Sequence, residues 1–182
     1  MNENLKKYNQ KRDFKKTKEP KGKLEKKKTG LSFVIQHHIS RRDHFDLRLE
    51  WEGTLKSWAI PKGPSYSPSD KRLAIRVEDH PFEYRNFEGV IPKGEYGGGT
   101  VMIWDEGDWK PLGEVDKKLN ETIKFSLNGK RLKGKWALVK MKDNNWLLIK
   151  EHDVFIEEEK KLTRFKTSIR TGRTMKEIND EG

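Results

Sequence analysis

Short runs of alternating apolar and polar residues occupy 32–38, 43–53, 55–61, 71–80, 99–109, 123–129, 133–141 and 145–152. Successive side chains of a strand point to opposite faces, so each run predicts a half-buried β-strand. Glycine and proline punctuate the runs at Glu52-Gly53, Pro61 to Pro64, Gly97 to Gly99 and Asn128-Gly129. The Asn-Gly pair is a hairpin signal. Eight short strands with turns between them predict an antiparallel barrel or sandwich. The long polar loops at 61–70 and 81–99 are expected at its rim, where function often resides. A short helix is expected within 113–121. The segment after Glu157 is expected to be helical at its start and frayed later. Residues 1–30 hold few apolar side chains and are expected to be flexible, or ordered only where they lie on the domain or a ligand. The reading is a single domain at 31–156, a basic arm at 1–30 and a charged tail at 157–182.

Charge sharpens the picture of the arm. The chain carries a net charge of +11, and residues 1–30 contribute +8 of it. A basic arm on a nearly balanced domain suits a polyanionic partner, most often nucleic acid; a solubilising tail is the plainer alternative. The sequence contains no cysteine, which excludes disulfides, thiolate metal sites and cysteine nucleophiles. Any metal must then be held by histidine and carboxylate. No apolar run approaches the ~18 residues of a membrane span, and the N-terminus lacks a signal-peptide core, so a cytoplasmic protein is expected.

The chemistry concentrates in two of the runs. Along 43–51, His44, Asp46, Arg48 and Glu50 share one face, while Phe45, Leu47, Leu49 and Trp51 share the other. Along 71–80, Arg72, Ala74, Arg76, Glu78 and His80 share a face opposite Leu73, Ile75 and Val77. If the two polar faces converge, imidazole, carboxylate and guanidinium meet. Imidazole and carboxylate suit a divalent cation such as Mn²⁺ or Zn²⁺, and arginine pairs with phosphate oxygens. The competing reading is a solvated sheet face of exposed ion pairs. Histidine clustering argues against it, because four of only five histidines, His37, His38, His44 and His80, fall within 44 residues. His37 and His38 are adjacent and point oppositely on a strand, so at most one joins a site. His152 is expected to be structural or exposed. Tyr84 could present its hydroxyl to a phosphate or sit half-buried at the rim. The glycines at 94–99 lack the phosphate-binding pattern of a P-loop and are expected to serve a tight turn.

These residues resemble a known family. The stretch from His38 to Glu50, then Ser57-Trp58-Ala59-Ile60-Pro61-Lys62-Gly63-Pro64, Val77-Glu78-Asp79-His80-Pro81, Phe87 to Pro92, Gly134 to Val139 and Asn145 to Lys150 resemble the 3′-phosphoesterase domain of bacterial DNA ligase D. The arm joins the match at Lys11-Arg12-Asp13-Phe14 and Thr17 to Pro20. No polymerase or ligase segment accompanies these motifs, so a stand-alone form is the expectation. The resemblance implies a mainly β, single-domain, eight-stranded antiparallel barrel with a short helix and the basic arm. It implies Mn²⁺-dependent removal of a 3′-terminal ribonucleoside from a primer end, then of the 3′-phosphate left behind. One cation site is implied, with Zn²⁺ or Co²⁺ as alternatives to Mn²⁺. Carried over, His38, His44 and Asp46 are metal ligands. Arg48 and His80 hold the scissile phosphate, with Tyr84 beside them. Lys62, Arg72 and Glu78 assist. Arg12, Asp13 and Glu19 belong to the arm and are tied mainly to ribonucleoside removal.

The implied partner is the 3′ end of a primer–template in non-homologous end joining, with DNA ligase or polymerase repair proteins as candidate associates, no membrane, and a monomeric state. The main rival is a non-catalytic nucleic-acid-binding barrel, which would bind in a salt-sensitive way and hydrolyse nothing. A structural metal would need four closed ligands, and only three are in view.

Overall fold

A computed structural model describes residues 3–24, 30–116, 118–156 and 161–182. Among the described residues, ten strands form one antiparallel sheet: β1 Ser32–Ile39, β2 Asp43–Trp51, β3 Thr54–Ile60, β4 Arg72–Arg76, β5 His80–Pro81, β6 Gly89–Ile91, β7 Gly99–Pro111, β8 Ile123–Gly129, β9 Lys133–Lys140 and β10 Asn145–Lys150. The path β1-β2-β3-β4-β10-β9-β8-β7 closes on itself through a β1–β7 pairing. The result is a closed eight-stranded barrel, which removes the exposed edges an open sheet would present. The two short strands lie off this ring, β5 on β3 and β6 on β7. Helices α1 Glu3–Gln10 and α2 Met175–Asp180 flank it. Among the described residues no helix is long and apolar enough to cross a membrane.

Alternation decides which side of each strand is inside. Ile35, Leu47, Leu49, Trp58, Trp104, Trp109, Phe125, Trp136 and Trp146 fill one interior cluster drawn from every wall of the barrel. Trp58 and Trp146 meet edge to face with ring centroids 5.6 Å apart. Aromatic pairs of this kind fill volume and fix geometry together. The opposite parity of β1, β2 and β3 faces outward, and there a second cluster forms. Leu55, Phe82, Tyr84, Phe87, Ile91 and Val101 pack with Tyr8 of α1, and Phe14 lies against them. The described part of the arm, 3–24, is therefore docked on the barrel's outer wall, with Leu5 and Tyr8 buried.

Three expectations need correction. The 71–80 run is not one strand. β4 ends at Arg76, with Ala74 in the interior and Leu73 exposed, the reverse of the predicted apolar face. Small Ala74 fits inside a wall crowded by tryptophan, and the Arg76 guanidinium lies 4.4 Å over the Trp58 ring. Asp79 then turns the chain, bonding Lys56 at 2.5 Å and Arg76 at 3.3 Å, and β5 continues on the outer face. The Asn128-Gly129 pair marks the β8–β9 hairpin as expected, standing at the end of β8. Asp105 accepts the backbone N–H groups of Lys130, Arg131 and Leu132 in the hairpin's turn, and a Cβ at Gly129 would press on that carboxylate. The described residues within 113–121 form a turn, not a helix, because the Asp116 side chain accepts from the N–H groups of Lys118, Asn120 and Glu121.

The tail is the third correction. Its expected helical start falls partly on 157–160, outside the described residues, and Lys161–Arg164 form a 3₁₀ turn. Its end is not frayed. Thr174 and Glu177 form a reciprocal capping box on α2, and Ile178 is buried in the main cluster. Truncating Ile178 to alanine should therefore lower unfolding stability by about 2–3 kcal/mol, read from the urea midpoint. An unchanged midpoint would show that α2 is not part of the folded unit.

Candidate metal centre and phosphate cleft

The β1–β2 hairpin brings the first residues together. Its register sets His38 opposite His44 and Gln36 opposite Asp46. On the other side of β2, Arg48 faces Ser57 and Asp46 faces Ala59 of β3. All of these have outward parity, so the site grows on the outer wall and not inside the barrel. Small Ser57 and Ala59 leave room above the sheet, and a cleft of about 880 Å³ opens there. Its floor is the sheet. Its walls come from the turn after β1, the glycine-rich loop before β7, and Arg12 of the arm.

His38, His44 and Asp46 offer donor atoms that all lie within 4.8 Å of one another. Backbone carbonyls fix both imidazoles. His38 Nε2 sits 2.8 Å from the Gly97 carbonyl, and His44 Nδ1 sits 3.0 Å from the Arg42 carbonyl. A carbonyl only accepts, so both of these nitrogens carry N–H. That leaves His38 Nδ1 and His44 Nε2 bare, at 3.6 and 3.5 Å from the Asp46 carboxylate. Three electron-rich atoms facing one point need a cation or extra protons between them. The carbonyl partners are also the outer shell that orients metal-binding histidines. The trio thus fits a divalent cation of the His/carboxylate type. Gly99 belongs to the same construction. Its φ is +150°, and a Cβ there would meet the Ile39 carbonyl at 2.1 Å, so only glycine lets the loop close on β1.

Arg48 lies beside this trio, 3 % exposed, with every bond directed. Its Nε donates to Gln36 at 2.7 Å, one terminal nitrogen to Ser57 at 3.0 Å and the other to Asp46 at 3.2 Å. Gln36 is itself locked by donating to the Tyr84 and Phe87 carbonyls. The guanidinium stands 4.7 Å over the Tyr84 ring. Burial alone would raise the Asp46 carboxyl, but the Arg48 charge, and protons on His38 and His44 wherever no cation takes their place, hold it well below its usual value. Burial lowers His44, and its bond and charge attraction to Asp46 reverse that and raise it.

His80 reaches the cleft through β5. Its Nδ1 lies 3.0 Å from the Glu78 carbonyl, so Nδ1 carries N–H and Nε2 is bare, 3.5 Å from Arg12. Burial first, then the charges of Arg48 and Arg12, push this imidazole well below its ordinary value. Arg12 is gripped in turn, by Glu19 at 2.9 Å and Glu78 at 3.4 Å. The Tyr84 hydroxyl donates to Glu19 at 3.1 Å, and burial raises that phenol strongly.

His38, His44, Asp46, Arg48, Glu78, His80, Tyr84 and Arg12 therefore line one cleft. Glu19 stands behind Arg12, fully occupied. Asp13 is exposed and caps the Lys15 N–H at 3.0 Å, away from the cleft. Lys62 is exposed outside the lining, and Arg72 pairs with Asp70 at 3.3 Å, also outside it. His37 stacks on Phe45 on the other face, bonded to Asp43, and His152 is exposed. Sequence reasoning missed Gln36 and Ser57, which hold Arg48, and Tyr8, which packs against His80. Gln36 was legible in principle: it shares parity with His38, and a turn at 40–42 sets it opposite Asp46. Arg41, Lys93 and Tyr96 at the rim were also missed.

Comparison with known proteins gives the same direction. A family model described as the DNA ligase D 3′-phosphoesterase domain matches residues 36–140. The multifunctional non-homologous end joining protein LigD of Pseudomonas aeruginosa is 46 % identical over 168 residues, covering 88 % of this chain and 20 % of that protein. The multifunctional non-homologous end joining DNA repair protein LigD of Mycobacterium tuberculosis is 44 % identical over 145 residues, 79 % of this chain and 19 % of that one. LigD of Mycolicibacterium smegmatis is 45 % identical over 150 residues. The chain spans about a fifth of the length of these relatives.

The state of His80 has a pH signature. The fold holds it neutral, so its contribution stands in full above the ordinary value of 6.5 and is lost as pH falls from there toward the depressed value. With chelator present, this one group should make the unfolding free energy fall as pH drops below 6.5. His80→Gln should remove that component in denaturant titrations. Equal slopes in the two proteins would show that His80 titrates normally.

Proposed function

Because the chain belongs to the DNA ligase D 3′-phosphoesterase family, we propose that it hydrolyses phosphoesters at nucleic-acid 3′ ends in DNA repair by end joining. The first step adds water to the phosphodiester between a 3′-terminal ribonucleoside and its neighbour, breaking the bond from phosphorus to the 5′ oxygen, releasing the nucleoside with a 5′-hydroxyl and leaving a 3′-phosphate. The second adds water to that phosphate, releasing it and leaving a 3′-hydroxyl. The observation that carries this reading is the convergence of His38, His44 and Asp46 beside the buried guanidinium of Arg48.

The proposed cation is a single Mn²⁺ held by those three residues. Bound there, it supplies Lewis acidity to a phosphoryl oxygen and acidifies a water. The remaining chemistry belongs to the chain. Arg48 has five N–H donors and spends three on Gln36, Ser57 and Asp46, leaving two for phosphoryl oxygens. Its fixed position means no reorganisation as charge grows on those oxygens. His80 starts neutral with Nε2 free. An arriving phosphate anion raises its proton affinity, so Nε2 takes the proton given up by the attacking water and returns it to the leaving oxygen. Arg12, with Arg41 and Lys93 at the rim, supplies positive charge for the strand's backbone. DNA ligase and polymerase repair proteins are the proposed associates, in the cytoplasm, with the chain itself monomeric.

The test offers a 3′-phosphate primer–template and a primer ending in one ribonucleotide, with Mn²⁺ and with chelator. Both should be processed only with the metal. His44→Ala should abolish both calorimetric Mn²⁺ binding and turnover. Arg48→Ala should keep the metal while hydrolysis falls by about 10²–10³-fold. Salt-sensitive binding without hydrolysis in the unmodified protein would return it to the class of nucleic-acid-binding barrels.

A further inference from the structure

The arm presents one residue whose placement no nucleic-acid grip explains. Tyr8 is wholly buried although its helix is at the chain's periphery. Its ring edge meets His80 with centroids 5.1 Å apart at 64°, and Tyr84 meets the same imidazole at 4.7 Å and 73°. The two tyrosines also contact each other edge to face, at 6.1 Å and 86°. The Arg12 guanidinium lies 3.8 Å over the Tyr8 ring. The hydroxyl is turned away and donates to the Pro20 carbonyl at 2.6 Å, closing the arm on itself. The ring, not the hydroxyl, faces the chemistry.

We infer that Tyr8 is a positioning residue for His80: with Tyr84 it packs against the imidazole on adjacent sides, keeps water from it, and directs Nε2 toward Arg12 at the cleft wall. The arm is then a wall of the catalytic chamber. It serves 3′-phosphate release as well as any step that handles a terminal nucleoside. This rests on the phosphoesterase reading above and extends it to a residue outside the matched family segment, which begins at residue 36.

The surroundings of His80 support the assignment. Arg12 and Tyr8 face it from the arm, Arg48 and Asp46 from β2, Ser57 from β3, Tyr84 from the turn after β5, and the Glu78 carbonyl from its own segment. Backbone and hydroxyl partners hold only the Nδ1 side. Among the described residues, the polar partner of Nε2 is Arg12. Loss of the Tyr8 ring would leave a gap beside the imidazole, open to water and to rotation of the ring.

Two variants separate ring from hydroxyl. Tyr8→Phe keeps the ring and should release 3′-phosphate within about twofold of the unmodified protein. Tyr8→Leu keeps burial without the ring and should lose about tenfold or more in kcat, with KM changed by less than about threefold. In proton NMR of the metal-free protein, the His80 ring proton should show a nuclear Overhauser contact to the Tyr8 ring. Its titration should move back toward the ordinary histidine range in Tyr8→Leu and stay in place in Tyr8→Phe. A Tyr8→Leu protein that melts earlier but keeps kcat and the His80 titration would reduce Tyr8 to a fastener of the arm and overturn the inference. So would absence of the ring contact in the unmodified protein. If the unmodified protein releases no phosphate, the phosphoesterase reading fails, and the NMR results alone decide whether Tyr8 positions His80.

Discussion

The Asp46 carboxylate is the point on which the site turns. It is nearly buried, and it is held as an anion by Arg48 at 3.2 Å, with two imidazoles within 3.6 Å that share a proton or a cation with it. An unpaired carboxylate in that position would protonate, and an unpaired guanidinium beside it would be costly to bury. Each therefore requires the other. Together they explain why Gln36 and Ser57, neither of which carries charge, are placed where they complete the bonds of Arg48. A half-satisfied network in the same place would be worse than an apolar patch.

The barrel makes this network rigid. The interior parity of β1, β2 and β3 is fixed by Ile35, Leu47, Leu49 and Trp58, packed against tryptophans from the far wall. A strand whose inner face is locked by packing cannot rotate, so its outer face presents His38, Asp46 and Arg48 at set spacings. Site and core are two sides of the same three strands. Catalytic groups on sheet strands are held more tightly than groups on loops, which suits a reaction that depends on positioning.

What covers that outer face comes from three places remote in sequence. The glycine-rich loop supplies the Gly97 carbonyl, the segment after β4 supplies Glu78, His80 and Tyr84, and the arm supplies Tyr8, Arg12 and Glu19. The arm's charge, read alone, suggests a loose nucleic-acid tether. Its buried residues give the described part a second task. Arg12 cannot be both satisfied by Glu19 and Glu78 and remote from His80, because one guanidinium spans all three.

The sequence by itself determined the eight barrel strands, the two opposite faces of β2, and the clustering of histidine, aspartate and arginine on one of them. These follow from alternation with period two, which a single strand expresses without reference to its neighbours. The hairpin turn at 40–42 extends that legibility to the His38–His44 pairing. It did not determine the break at Arg76, the exposure of Leu73, the inward turn of Ala74 or the exclusion of Lys62 and Arg72 from the cleft. Those depend on how the barrel closes, on which side chain fits beneath Trp58, and on Asp79 finding Lys56 from another strand. Nor could composition show that Tyr8, in a lysine-rich helix, meets His80 from the far end of a 72-residue separation. A contact of that range exists only once the sheet has closed and the arm has crossed its outer wall.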